Sequence, residues 1–202
     1  ATPSNTEFII VCHPNFLSAA NRLADFHLQK DNIISVVVTP QQIYNEFSSG
    51  MQDVTAIRDF VKYQYDKESS NLKYLLLFGD GSYDPKNRIE NNTNYIPTYQ
   101  SANSTYPTES YVTDDYFGLL DDHEGLFNND LVDIGIGRMP VSTLLEADMK
   151  ELREQLMKAK DDLAAANVES ARKLEEMNNG LMKLAADMGA DCKAAASEKA
   201  SL

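Results

Sequence analysis

The sequence predicts an α/β fold: a mostly parallel four-stranded sheet with flanking helices, followed by a long α-helical, coiled-coil-like tail. Three observations predict it. Short apolar runs rich in β-branched residues alternate with amphipathic stretches at the spacing of βαβ units. Those stretches are long enough to supply the crossovers that parallel strands require. After Ala147 the composition switches, and aromatics, prolines and β-branched residues largely give way to Ala, Lys, Glu, Leu and Met.

The elements follow in order. Glu7-Phe8-Ile9-Ile10-Val11-Cys12 reads as the first buried strand, and His13-Pro14-Asn15 breaks it. Phe16, Leu17, Ala20, Leu23, Ala24 and His27 recur at helical spacing, giving a helix to about Lys30. Ile33 to Val38 is β-branched and reads as the second strand, ended by Pro40. A short helix follows over 41–47. Asp53 caps another over 54–66, whose core face is Ile57, Phe60, Val61 and Tyr65. The third strand runs over 74–78. The fourth is expected over 131–136. Between them lies a long loop loaded with carboxylates and tyrosines.

The tail has its own rhythm. Met149, Leu152, Leu156, Ala159, Leu163 and Ala166 step by three and four, an a/d seam. The pattern resumes at Leu174, Met177, Leu181, Leu184 and Met188 after a four-residue slip near Ser170, a stutter of the kind coiled coils tolerate. Asn178-Asn179-Gly180 weakens the helix locally and offers a turn. Such a seam must be covered by a hairpin, a second copy or a partner, and self-association through 149–188 is one of these three alternatives. The division by composition is therefore an α/β subdomain over 1–147 and a helical tail over 148–202.

Composition excludes some functions. The chain has 202 residues, and its hydrophobic fraction of 43% suffices for a packed core. A formal net charge of −13 argues against nucleic acid as a partner, which needs a basic footprint. Every apolar run is interrupted before membrane-spanning length. Residues 1–6 lack the basic start and apolar core of a signal peptide. The two cysteines, Cys12 and Cys192, fall in separate units, so no disulfide is expected. With three scattered histidines they give no zinc spacing.

The chemistry-bearing residues divide as follows. Cys12 is followed by His13, but neighbouring strand residues point to opposite faces. The pair reads as a core cysteine and a surface histidine rather than a nucleophile with its base. Cys192 falls in phase with the tail seam. His27 sits at the core boundary of its helix. His123 stands in Asp121-Asp122-His123-Glu124-Gly125 with no cysteine near it in sequence. Asp80, Asp84, Asp114, Asp115, Asp121, Asp122 and Glu124 are hard oxygen donors on one strand-end loop system, and calcium is the cation they suit. The competing reading is that Asp, Asn and Gly are turn formers. Gly79-Asp80-Gly81 follows a strand but lacks the spacing and the lysine of a phosphate cradle. Tyr83, Tyr95, Tyr99, Tyr106, Tyr111 and Tyr116 offer a peptide or glycan platform, or simply pack the loop onto its own domain.

Several motifs carry a family resemblance. They are Tyr74 to Asp84, Ile96-Pro97-Thr98-Tyr99-Gln100-Ser101, Tyr111-Val112-Thr113-Asp114-Asp115-Tyr116-Phe117-Gly118 and Asp133 to Thr143, with Gln42 to Gly50 and Thr55-Ala56-Ile57-Arg58 in agreement. Over residues 7–147 the chain resembles the gingipain-type cysteine peptidases, and more closely their branch that acts as sortase or signal peptidase of the type IX secretion system. The resemblance implies a caspase-like first subdomain. It implies peptide or protein substrates cut by a Cys-His dyad, at the cell surface of a Bacteroidota-type bacterium. It also implies type IX secretion components as partners and calcium as a ligand of the family generally, without assigning its ligands to positions in this chain. The family's catalytic histidine, in a Gly-His-Gly-like strand end, and its later cysteine belong to a second subdomain. No position here matches them, so the resemblance assigns no catalytic residue. Three origins fit the tail: a truncated or spliced piece of a longer peptidase gene, a scaffold that gained a coiled-coil partner site, or a foreign segment. The abrupt switch near Ala147 favours the first or third.

Overall fold

The computed structural model describes residues 5–67, 70–101, 110–124 and 130–199, with side chains of the last helix described as far as 184 and at 186 and 188. Contacts divide the chain into two units, Ala1–Arg153 and Glu154–Leu202.

The first unit is built on a four-stranded, all-parallel sheet. In chain order the elements are β1 (Phe8–Cys12), a 3-10 turn (Pro14–Phe16), α1 (Leu17–Asp31), β2 (Ser35–Val38), α2 (Pro40–Phe47), α3 (Val54–Tyr65) and β3 (Tyr74–Phe78). There follow β4 (Tyr99–Gln100), β5 (Val112–Thr113), a second 3-10 turn (Asp115–Gly118), β6 (Gly135–Met139) and the start of α4 (Leu144–Lys199). The sheet order is β2-β1-β3-β6, and β4 pairs with β5 in a separate antiparallel ribbon.

Both faces of the central strands are covered, as a parallel sheet demands. Side chains alternate across a strand. Ile9, Val11, Leu75 and Leu77 therefore join Ile43, Ile57, Phe60, Val61, Ile96 and Phe117 on one face, with α2 and α3. Phe8, Ile10, Cys12, Leu76 and Phe78 join Phe16, Ala20, Leu23 and Ala147 on the other, with α1 and the start of α4. This is why β1 and β3 read as continuous apolar runs rather than alternating ones.

Local chemistry sets the helix ends. Thr39 and Gln42 form a capping box at α2 with Pro40 in its first turn, and Thr39→Ala should cost about 1 kcal/mol. The Asp53 carboxylate accepts from the Thr55 amide, 2.8 Å away, and caps α3 as the sequence predicts.

Three features differ from the expectations. The fourth strand is displaced: it is β6, paired from Tyr74↔Gly135 to Phe78↔Met139, rather than 131–136. Leu131 is 78% exposed, and the Asp133 backbone and carboxylate bond to Gly118 and Leu120 instead of a strand. The ribbon of β4 and β5 falls in the stretch read as loop. Asn178-Asn179-Gly180 does not turn the chain, because α4 continues through it. The local cost of about 1 kcal/mol for a helical glycine is outweighed by strong helix formers on either side.

The compositional boundary at 147 lies inside α4. Arg22 of α1 reaches Asp148 at 2.5 Å and Glu151 at 3.2 Å, and the side chain of Glu151 is 2% exposed. The first turns of α4 thus stay with the α/β unit. Among the described residues of the second unit α4 is the only element, with Leu156, Leu163, Leu174 and Leu181 all more than half exposed. Among the described residues no helix is long and apolar enough to cross a membrane.

Candidate functional site

The carboxyl ends of β1, β3 and β6 and the loops that leave them form the part of the fold where ligands of parallel sheets gather. Its centre is Arg138, near the end of β6. The guanidinium gives Nε and Nη2 to the two oxygens of Asp114, each at 2.7 Å. Nη1 donates to the carbonyls of Gly79 and Ile96 at 3.1 and 2.9 Å, and Nη2 also donates to that of Pro97 at 3.2 Å. All five N–H groups of the fork are used. One side chain therefore ties the end of β3 to both halves of the long loop.

Close packing supports this arrangement. A Cβ at Gly81 would stand 2.5 Å from the Thr98 methyl and 3.3 Å from Arg138 Nη1. At Gly79, with φ +156°, it would stand 2.8 Å from Ile96 Cγ1. The aromatic side chains pack the loop inward as well. Tyr99 stacks on Tyr116 with ring centroids 4.2 Å apart, Arg58 lies 5.5 Å over the Tyr116 ring, and Tyr95 donates to the Ser142 carbonyl at 3.2 Å. Ser101 and Tyr111 exchange hydrogen bonds at the mouth of the ribbon. Only Tyr83 and Tyr111 remain largely exposed among the described tyrosines of this loop, and Tyr106 lies outside the described residues.

Cys12 and His13 do not form a catalytic pair. Cys12 is fully buried, its Sγ donates to the His13 carbonyl at 3.2 Å, and burial pushes its thiol up to about 12. A thiol so displaced is protonated at neutral pH and is no nucleophile. His13 points elsewhere: its Nδ1 accepts from the Asn15 amide at 3.3 Å, its ring lies 4.5 Å from that of Tyr95, and burial lowers its pKa. His27 faces Asp31 at 2.9 Å on its own helix, at the core boundary as expected. The side chain of Cys192 lies outside the described residues. A hollow of about 450 Å³ beside β2, lined by Val36, Val38, Ile43, Phe60, Tyr63 and Lys67 among others, contains neither histidine nor cysteine.

The structure disperses the seven carboxylates read as calcium candidates. Asp80 accepts from the Gly81 amide and the Thr93 hydroxyl at 3.0 and 2.7 Å. Asp84 closes its own turn, accepting from the amides of Lys86, Arg88 and Ile89, and these bonds lower its pKa. Asp114 is taken by Arg138. Asp115 begins the second 3-10 turn. Asp122 faces Lys62 at 3.2 Å. Asp121 and Glu124 do come together, joined by Asp133, with one oxygen of each within 4.8 Å of the others. Two of these carboxylates also serve the backbone, Glu124 accepting from the Asp121 amide and Asp133 from that of Leu120. Hard oxygens on a turn suit a flexible calcium site in type, though three carboxylates supply only part of the six to eight ligands such a site takes. Asp133 escaped the sequence reading because it stood inside the run taken for a strand.

Comparison with known proteins agrees with the motifs. The model of peptidase family C25 matches residues 1–164, running past the compositional boundary into the helical segment. Among solved structures the chain is similar to dimeric latent PorU from Porphyromonas gingivalis, with 36% identity and a TM-score of 0.61. That likeness covers 75% of this chain and 15% of PorU. Two structures share the fold at lower identity. The pro- and mature-domain complex of Porphyromonas gingivalis RgpB matches at 18% identity and a TM-score of 0.52, over 73% of this chain and 28% of that one. The Arg-specific cysteine proteinase gingipain R matches at 19% and 0.52, over 76% and 28%. No curated protein matches the chain.

Proposed function

Because this chain belongs to peptidase family C25, we propose that it is the amino-terminal, non-catalytic subdomain of a gingipain- or PorU-like cysteine peptidase. Its role is to present a rigid strand-end face to the half of the domain that carries the dyad. The observation that supports this most is the pairing of Arg138 with Asp114, which ties the loop to the strand ends, while no cysteine stands beside His13 on that face among the described residues except the buried Cys12. Cys12, the one cysteine whose side chain is described, is buried and protonated. On this reading the peptidase acts on peptide or protein substrates at the cell surface of a Bacteroidota-type bacterium. If it follows the sortase branch, it cuts C-terminal secretion signals, attaches cargo to lipopolysaccharide and works with type IX secretion components. Calcium, where it binds, is held by Asp121, Glu124 and Asp133 and stiffens the turn before β6.

The test is hydrolysis of basic and secretion-signal peptides by the chain alone and with a gingipain-type second subdomain supplied in trans. No turnover alone and measurable turnover on mixing support the proposal. Turnover by the chain alone contradicts it.

A second reading has its own observation. The apolar side chains of α4 in the second unit are exposed over several turns, which suits an acidic α/β scaffold that oligomerises or binds a partner through its tail.

A further inference from the structure

We propose that residues 156–184 of α4 pair antiparallel with the same segment of a second copy of this chain, about a two-fold axis at Ser170. The proposal rests on the second reading above and names the occupant of the seam, its direction and its register. Leu156, Leu163, Leu174, Met177, Leu181 and Leu184 are 55% to 65% exposed on one helix, and such a stripe is stable only when covered.

The spacing of the seam selects the register. From Leu156 through Ala159 and Leu163 to Ala166 the steps are three, four, three; from Leu174 through Met177 and Leu181 to Leu184 they are the same. Between the halves stand two steps of four that meet at Ser170. The seam is therefore symmetric about that residue. A stutter tolerates only a partner whose own stutter lies at the same level, because elsewhere it meets a regular heptad. A closed two-fold at Ser170 meets that condition with identical copies.

Side-chain volume selects the direction. In parallel register Ala159 meets Ala159 and Ala166 meets Ala166, leaving two thin layers, while the other half stacks Leu and Met on themselves. In antiparallel register Leu156 meets Leu184, Ala159 meets Leu181, Leu163 meets Met177 and Ala166 meets Leu174. Each alanine then faces a leucine and no layer is made of two small side chains, which fills the seam more evenly. Charge agrees. Glu169 lies just before Ser170, with Arg172 and Lys173 just after it; within one helix these two cations approach Glu169 to 3.3 and 3.5 Å. Reversing the second helix brings its Arg172 and Lys173 toward Glu169, whereas a parallel partner sets like charges at the same level. The Ser170 hydroxyl donates to the Ala166 carbonyl at 2.8 Å, so it can face its copy without a lost hydrogen bond.

The experiment combines sedimentation of the full chain at micromolar concentration with oxidative cross-linking. Leu156→Cys and Leu184→Cys are each made in a Cys192→Ser background, then oxidised separately and as a mixture. The expected results are a twofold sedimenting mass and a disulfide-linked dimer from the mixture alone. Cross-linking of each variant with itself, as readily as in the mixture, overturns the antiparallel assignment while leaving association through the tail in place. A monomer overturns both.

Discussion

Arg138 and Asp114 meet fork to fork, with guanidinium Nε and Nη2 each 2.7 Å from one carboxylate oxygen. Their side chains are 12% and 26% exposed. Arg138→Ala would leave this carboxylate and three backbone carbonyls short of donors. Breaking a largely buried pair on one side costs about 3 kcal/mol. Arg138→Lys keeps the charge but not the planar fork, and should recover less than half of the loss. Urea unfolding of the full-length variants measures both.

Gly81 is the second point where the loop is fixed. A Cβ there meets the Thr98 methyl at 2.5 Å and the Ile96 carbonyl at 3.1 Å. Gly81→Ala should destabilise by about 1–3 kcal/mol through overpacking. Removing the methyl with Thr98→Ser in the same chain should return part of that loss, a non-additivity that a double-mutant cycle reads directly.

The first half of the fold was legible because burial on both faces leaves β1 and β3 as unbroken apolar runs between turn residues. β6 was not. Gly135 and Gly137 lack the side chains that mark a strand, and Arg138 interrupts what remains; the strand is held by register against β3, which local sequence does not display. The same residue shows why the site was only half readable. Its partners Gly79, Ile96, Pro97 and Asp114 are spread over the chain, so nothing beside Arg138 announces a hub. The carboxylates were visible, but their roles depended on which amide or cation each would reach.

His13 gives a pH dependence. Burial lowers its pKa below that of the unfolded chain, so acidification protonates the unfolded state first. Its contribution to stability is therefore present above about pH 6.5, the ordinary histidine value, and is lost as pH falls through the lower folded value. Protonation of Nδ1 would also expel the Asn15 amide that it accepts. Melting temperatures of the chain and of His13→Asn between pH 7 and about 5 should converge as pH falls. Parallel curves would show that His13 does not titrate with folding.

Calcium binding at Asp121, Glu124 and Asp133 predicts a melting temperature that rises with added calcium and falls with chelator. A ligand that binds only the folded chain at a hundred times its Kd adds about 2.7 kcal/mol. Asp133→Asn should abolish the calcium response. A chain whose melting temperature ignores both calcium and chelator holds no such ion.

A subdomain that lends a peptidase its scaffold face, as proposed, should not itself cut peptide bonds. Turnover of basic and secretion-signal peptides by the purified chain and by its Cys12→Ala variant decides between the two possibilities. No hydrolysis above the buffer blank is expected from either, because the Cys12 thiol is buried and its pKa is pushed up to about 12. Robust turnover that disappears in Cys12→Ala would show instead that the reacting cysteine is Cys12 of this chain.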